Sequence, residues 1–213
     1  MDHNDTKIRI VEAAIEVFLE KGYATATIRG ICARAEANLA AVNYHFGSKD
    51  SLYAAALERI TTSCDKRYPI AKGLDEASSP EERLRRFIRN LFRLLFPDDA
   101  EYARRIELLW RELGNPSPTR TLQVKRVLRP IRDTLESIIQ EILGPSDAET
   151  VQLCIESIVG QQFFQAQNKF FIAQLYPGKK YLPRDVERLA EHVYRFSIAG
   201  LQAVRSISDK EIG

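Results

Sequence analysis

Between Asn38 and Lys49 the chain sets two amides, a phenol, an imidazole and an ammonium among small and apolar residues: Asn38, Asn43, Tyr44, His45 and Lys49 with Leu39, Ala40, Ala41, Val42 and Phe46. The mixture suits a helix laid against a nucleic-acid duplex. An amide such as that of Asn43 can hydrogen-bond a base edge through two atoms at once, and Leu39, Ala40 and Ala41 can touch thymine methyls. Tyr44, His45 and Lys49 can bond phosphate oxygens, contacts that fix register without reading sequence. Arg29 supplies a guanidinium for the same purpose. The competing reading makes Tyr44-His45-Phe46 an ordinary packing run; the spacing assigns Phe46, four residues after Val42, to the inner face and leaves Tyr44 and His45 outside it.

The surrounding pattern supplies elements to hold these residues. Ile8, Val11, Ala14, Ile15, Phe18 and Leu19 recur at spacings of three and four and predict a helix over residues 7–21, stopped by Gly22. Thr27 is placed to cap a short second helix through Arg34, although Gly30 stands where a capping-box acid would be. After a tight turn at Ala35-Glu36-Ala37, Asn38 caps a third helix carrying Leu39 to Phe46. Helix, tight turn and helix within about twenty residues is the format of a helix-turn-helix, whose second helix enters the major groove. Ser48 then caps a fourth helix through Leu52, Tyr53, Ala56, Leu57 and Ile60, ending before Pro69.

Residues 70–80 read as a connection, and the remainder is helical as well. Leu84, Phe87, Ile88, Leu91, Phe92 and Leu95 mark one helix, and Tyr102, Ile106, Leu109, Trp110 and Leu113 mark another that ends at Gly114. A long helix over residues 119–143 contains Pro130, a kink site. Two more are expected over residues 151–174 and 184–206. No stretch alternates with period two and nothing repeats at a solenoid period. The expected fold is all-α: an N-terminal three-helix helix-turn-helix domain, residues 1–50, joined by a linker helix, 51–68, to a helical bundle, 73–213.

Composition narrows the function classes. The 213 residues are 45% hydrophobic and 28% charged with net charge +2, an ordinary globular composition with no global field for DNA or membranes. Any basic surface is local: residues 22–49 hold Arg29, Arg34 and Lys49 against Glu36 alone. Arg34 reads as solvated or salt-bridged. Cys32, Cys64 and Cys154 are odd in number and scattered, arguing for reduced thiols. With the polar start and no apolar run near a membrane span, they predict a cytoplasmic protein with no membrane partner. His3, His45 and His192 lack metal-ligand spacing, and no nucleophile elbow, P-loop or HExxH motif nominates an enzyme or a cofactor.

The run IRGICARAEANLAAVNYHFGSKDSLY closely resembles the DNA-binding domain of the tetracycline-repressor (TetR) family of bacterial transcription regulators. The resemblance rests on Gly22-Tyr23, Thr27, Tyr44-His45-Phe46 and Ser48-Lys49-Asp50, and covers roughly residues 7–60. ANLAAVNYHFGSK and the later helical pattern look like the CecR-like branch. The resemblance implies a homodimer, clasped through its last two helices, that binds a near-palindromic operator and is released by a small-molecule effector held in the C-terminal domain. It carries DNA contacts onto Arg29, Asn38, Leu39, Ala40, Ala41, Asn43, Tyr44, His45 and Lys49. Two departures stand out. Glu36 occupies a turn position where the family usually has Gly, which tolerates φ > 0 best, and Asn43 replaces a frequent Tyr.

In the C-terminal region Trp110, Phe163, Phe164, Phe170 and Phe171 could line an effector cavity or belong to core and interface. Gln162 and Gln167 could orient a ligand or face solvent. The weighed alternatives are a C-terminal bundle that only docks another protein, and an all-α enzyme.

Overall fold

The computed structural model describes residues 3–74, 79–113, 118–178 and 182–211. Gly114, expected as a helix stop, and Ser78, in the expected connection, lie outside the described residues. Those described form ten α-helices and no strand: α1 (His3–Thr25), α2 (Ile28–Ala35), α3 (Leu39–Phe46), α4 (Lys49–Arg67), α5 (Pro80–Leu95), α6 (Ala100–Leu113), α7 (Pro118–Leu143), α8 (Ala148–Gln167), α9 (Lys169–Leu175) and α10 (Val186–Glu211). The fold is all-α.

The chain gathers into two compact units, one made of Met1–Lys66 with Ala100–Val127 and the other of Arg67–Asp99 with Leu128–Gly213. The division read along the sequence, 1–50 and 73–213, places α6 with the C-terminal bundle, whereas by packing α6 joins the first unit. Arg105 of α6 reaches Glu12 of α1 at 3.1 Å, and Arg104 reaches Glu16 at 3.7 Å. Arg111 also donates to the Phe18 carbonyl at 3.3 Å. The apolar core of this unit is Ile10, Val11, Ala14, Ile15 and Phe18 of α1, Ile31 of α2, and Leu52, Leu57 and Ile60 of α4. Each large side chain so buried contributes about 1.5–3 kcal/mol. Ile8, expected on the inner stripe, is exposed. Ile10 is buried in its place, so the buried face of α1 begins one half-turn later than the spacing implied.

In the second unit α5 starts at Ser79, whose hydroxyl accepts from the Glu82 amide at 3.2 Å, with Pro80 in the first turn, where its missing N–H costs nothing. Leu84, Phe87, Ile88, Leu91 and Phe92 are fully buried as α5 packs on α8 and α10. Arg89 and Arg93 both reach Glu187 of α10, at 2.8 and 2.7 Å. These half-exposed pairs set alignment more than stability. Asn90 ties the segment after α4 to α5, donating to the carbonyls of Ile70 and Lys72, both at 2.9 Å.

One expected helix is two. The apolar spacing ran unbroken over 151–174, but α8 ends at Asn168, whose backbone (φ −105°, ψ 28°) leaves the helix before α9 begins. The Asn168 side-chain amide and its own backbone N–H both donate to the Phe164 carbonyl, at 3.1 and 3.0 Å. A short polar side chain competing for backbone partners disfavours a helix interior in this way. Cys32 and Cys64 are buried free thiols, and burial pushes the Cys64 thiol up to about 11, which keeps it protonated and unreactive. No helix among the described residues is long and apolar enough to cross a membrane.

Candidate nucleic-acid interface

The interface begins at a break. Gly22 (φ 74°, ψ 168°) interrupts α1 and turns Tyr23 back toward the unit. Its ring lies 4.8 Å from Tyr53 and 6.2 Å from Phe18, whose own ring meets Tyr53 edge-on at 4.7 Å. The Tyr23 hydroxyl donates to the Asp50 carboxylate. That bond, with desolvation, pushes the phenol up to about 12. Lys49 sits with its ammonium 4.4 Å from the Tyr23 ring centroid and donates to the Ala24 carbonyl at 3.4 Å. Residues 27 positions apart are thereby joined at the head of α4, and Lys49 is held beside α1 rather than sweeping through solvent.

α2 is capped as its sequence predicts: the Thr27 hydroxyl accepts from the Gly30 amide at 3.1 Å. A Cβ at position 30 would lie 3.2 Å from that hydroxyl oxygen, so the small residue gives the cap its room. Ile31, Cys32 and Ala35 are buried. Arg34 pairs with Glu20 of α1 at 2.6 Å, and the guanidinium holds the Glu20 carboxyl below its usual range. α2 closes on Glu36, which adopts φ 49°, ψ 45° and is the one non-glycine residue with positive φ among the described residues. The Glu36 amide donates to Ala33 at 3.4 Å and the Ala37 amide to Cys32 at 3.0 Å, the pair of bonds of a Schellman closure. A position suited to Gly is therefore filled by Glu.

Asn38 starts α3, its side-chain oxygen accepting from the Ala41 amide at 2.7 Å. Of this helix only Val42 is buried; Phe46, expected beside it in the core, is half-buried. The opposite face is open. Leu39, Ala40, Asn43 and Tyr44 are exposed, Tyr44 to 75%, and at i, i+1, i+4, i+5 they form one helical stripe. Arg29 and Asn38 are exposed as well, whereas Ala41, His45 and Lys49 are half-buried. The His45 ring meets Tyr44 edge-on at 5.2 Å. Gly47 (φ 71°) ends the helix and Ser48 caps α4, accepting from the Ser51 amide at 3.0 Å. The result is a convex rod whose exposed stripe offers one amide, one phenol and two apolar contacts, with cations at its margins. That is what major-groove reading requires.

Matches to known families decide the assignment. Residues 10–56 match the model for bacterial regulatory proteins of the tetR family, and residues 80–201 match that for the C-terminal domain of the HTH-type transcriptional dual regulator CecR. The chain belongs to the TetR family of transcriptional regulators, in its CecR type. CecR of Shigella flexneri is 28% identical over 160 residues, 71% of this chain and 70% of that one. Among solved structures, a transcriptional regulator from Pseudomonas aeruginosa PAO1 superposes with TM-score 0.70 at 20% identity, covering 94% and 93% of the two chains. FadR from Bacillus subtilis, solved with stearoyl-CoA, gives 0.66 at 19% identity over 91% and 98%. At these identities the two structures establish likeness of fold.

The residues suggested for an effector site lie on three helices. Trp110 lies on α6, in the first unit. Phe163, Phe164 and Gln167 lie on α8 and Phe170 on α9, in the second. Phe164, Gln167 and Phe170 are exposed, Phe170 to 81%, while Phe163 is half-buried. Among the described residues Gln162 is the glutamine that is buried. What sequence reasoning overlooked is the positioning knot: Tyr23 and Asp50 were visible as motif residues, but nothing in their own neighbourhoods shows that one hydrogen-bonds the other.

Proposed function

We propose that this regulator is a homodimeric repressor that binds a near-palindromic operator through paired α3 helices and leaves it when a small-molecule effector occupies the C-terminal domain. In this reading residues 1–50 are the DNA-binding domain, the helix over 51–68 the connection, and 73–213 the effector and dimer domain, all working in the cytoplasm. The observation that carries the reading is the exposed stripe Leu39, Ala40, Asn43 and Tyr44 on a helix anchored by Val42 and capped by Asn38. Asn43 reads a base edge, Leu39, Ala40 and Ala41 meet thymine methyls, and Arg29, Tyr44, His45 and Lys49 bond phosphates. Asn38 keeps its side-chain nitrogen for DNA while its oxygen serves the cap.

Dimer formation is supported by where apolar surface remains. Seven of the ten large apolar side chains exposed among the described residues are Leu153, Phe164, Phe170, Phe171, Leu175, Tyr176 and Phe196, all on α8, α9, their end or α10. Exposed apolar side chains concentrated on neighbouring helices are what a second copy can cover, and two-fold pairing sets the recognition helices about 34–36 Å apart or a multiple of it. The effector carries apolar surface, as does the stearoyl-CoA in the FadR structure. It shifts the equilibrium only by binding the released conformer better, typically by about 1–3 kcal/mol.

Selection of bound sequences from random duplex DNA tests the first half of the reading and should return two inverted half-sites. A metabolite panel added to the resulting complex tests the second. A monomer that retains no duplex, or a complex that no metabolite releases, overturns the corresponding half.

A further inference from the structure

The interior of the second unit is almost entirely apolar, and the exceptions are informative. Gln162 of α8 is 0% exposed and Ser197 of α10 is 6% exposed, on two helices that pack on each other and on α5. The Gln162 amide nitrogen donates to the Ile158 carbonyl at 3.4 Å. That bond fixes the orientation of the amide, because the flipped form would set two carbonyl oxygens face to face. The amide oxygen is then left buried without a hydrogen-bond partner, and so is the Ser197 hydroxyl. A buried acceptor left unmet is destabilising, and in native proteins such an atom calls for a specific explanation. Asn90, the third buried polar side chain of this unit, shows the contrast, since its amide nitrogen is doubly bonded to the carbonyls of Ile70 and Lys72.

We propose that Gln162 is an effector-binding residue whose side-chain oxygen accepts a hydrogen bond from an N–H or O–H group of a mainly apolar ligand, with the Ser197 hydroxyl as a second polar contact. The proposal rests on the effector-release reading above and specifies the ligand chemistry. The body of the ligand must be apolar, to match the buried Ile158, one turn from Gln162 on α8, and the buried Val193 and Leu201, one turn to either side of Ser197 on α10. Its polar group must be a donor, because an oxygen with no hydrogen repels the Gln162 oxygen as a second acceptor does. Alcohols, phenols and amides fit; a carboxylate or ester at this point does not.

The test uses the full chain and Gln162→Leu with two probe series, n-alkanols of graded length and their isomeric methyl ethers of equal carbon count, which match in composition and lack the donor. Binding is followed by calorimetry. The wild-type protein should bind an alkanol about tenfold tighter than its ether, the difference one well-made hydrogen bond confers. Gln162→Leu should erase that preference while keeping ether binding. Without ligand, Gln162→Leu should melt about 2–4 °C higher, because an unmet polar atom has been replaced by carbon. Equal binding of the two series, no binding of either, a preference that survives in the variant, or a lower melting temperature would each overturn the proposal. Release of operator DNA is scored separately. Release by some metabolite regardless of Gln162 refutes this assignment and leaves the repressor reading standing, whereas failure of every metabolite to release DNA refutes effector control itself.

Discussion

Replacing Glu36 by Gly isolates the strain in the turn between α2 and α3. Glu36 holds φ 49°, ψ 45°, a conformation that costs a residue with a Cβ roughly 1–2 kcal/mol. Its carboxylate also stands at the C-terminal end of α2, where the helix dipole disfavours negative charge by about 0.3–1 kcal/mol. Gly removes both penalties but gives back about 0.5–1 kcal/mol through the greater freedom of the unfolded chain. The two closing bonds, Glu36 to Ala33 and Ala37 to Cys32, are made by backbone atoms and survive the change. The net expectation is a gain of about 0.3–2.5 kcal/mol, read as a higher midpoint in urea denaturation at unchanged slope. Glu36→Gln separates the parts, since it removes the charge and keeps the strain, so it should gain less. Glu36→Asn, which tolerates the left-handed region, should fall between Gln and Gly. Glu36 is also the single acid in residues 22–49. A charge about 10 Å from a phosphate is worth about 0.4 kcal/mol in water, so Gly and Gln alike should tighten operator binding about twofold at low salt. A Glu36→Gly protein less stable than wild type, or one no more stable than Glu36→Gln, would refute the strain argument.

Four further outcomes are expected. Lys49→Ala should weaken binding to all duplexes and reduce the slope of log affinity against log salt by up to about one phosphate's worth, whereas Tyr44→Ala, which removes a neutral phenol, should weaken binding to all duplexes at unchanged slope; an unchanged slope for Lys49→Ala, or unchanged affinity for Tyr44→Ala, would remove that residue from the phosphate contacts. Asn43→Ala should relax base preference at one operator position, which a repeated selection from random DNA would register. Asn38→Ala should cost about 0.5–2 kcal/mol of stability through loss of the cap, whereas Asn38→Asp keeps the cap but sets a carboxylate against DNA, so that melting and operator titration should respond in opposite ways. The Tyr23 phenol is raised from 10 to about 12 by its bond to Asp50. Its stabilising effect is therefore complete below pH 10 and lost as the pH climbs through 12. A Tyr23→Phe protein should be less stable than wild type at neutral pH, and the difference should close over that alkaline window; a constant difference would show that the bond does not titrate as described.

Most of the helices were legible because their signals are local. Thr27, Asn38 and Ser48 each bond an amide three residues on, so a cap can be read from a few adjacent letters; Ser79 caps α5 in the same way, although residues 70–80 read as a connection. The three-and-four spacing of Leu52, Ala56 and Ile60, or of Leu84, Phe87, Ile88 and Leu91, needs no knowledge of what lies opposite. At Glu36 the left-handed turn was implied only by the resemblance, which has Gly there, and the backbone bears it out at φ 49°. By these means the sequence by itself determined the all-α class, the helix-turn-helix and the register that puts Asn43 and Tyr44 outward and Val42 inward.

What only the tertiary structure decided concerns partners distant in the chain. Spacing gives a helix an apolar face but not the neighbour that covers it. Ile8 and Ile10 were equally eligible by composition, and packing buries the second. α6 follows α5 in sequence yet groups with α1, where Arg105 and Arg104 meet Glu12 and Glu16. The aromatic residues of α8 and α9 look alike in one dimension; in three, Phe164 and Phe170 face out. Gln162 and Gln167 could not be ranked from their letters, and the fold encloses one and exposes the other. The physical reason is the same in each case: hydrogen bonds within a turn depend on neighbours a few residues away, whereas burial and pairing depend on which surfaces the folded chain brings together.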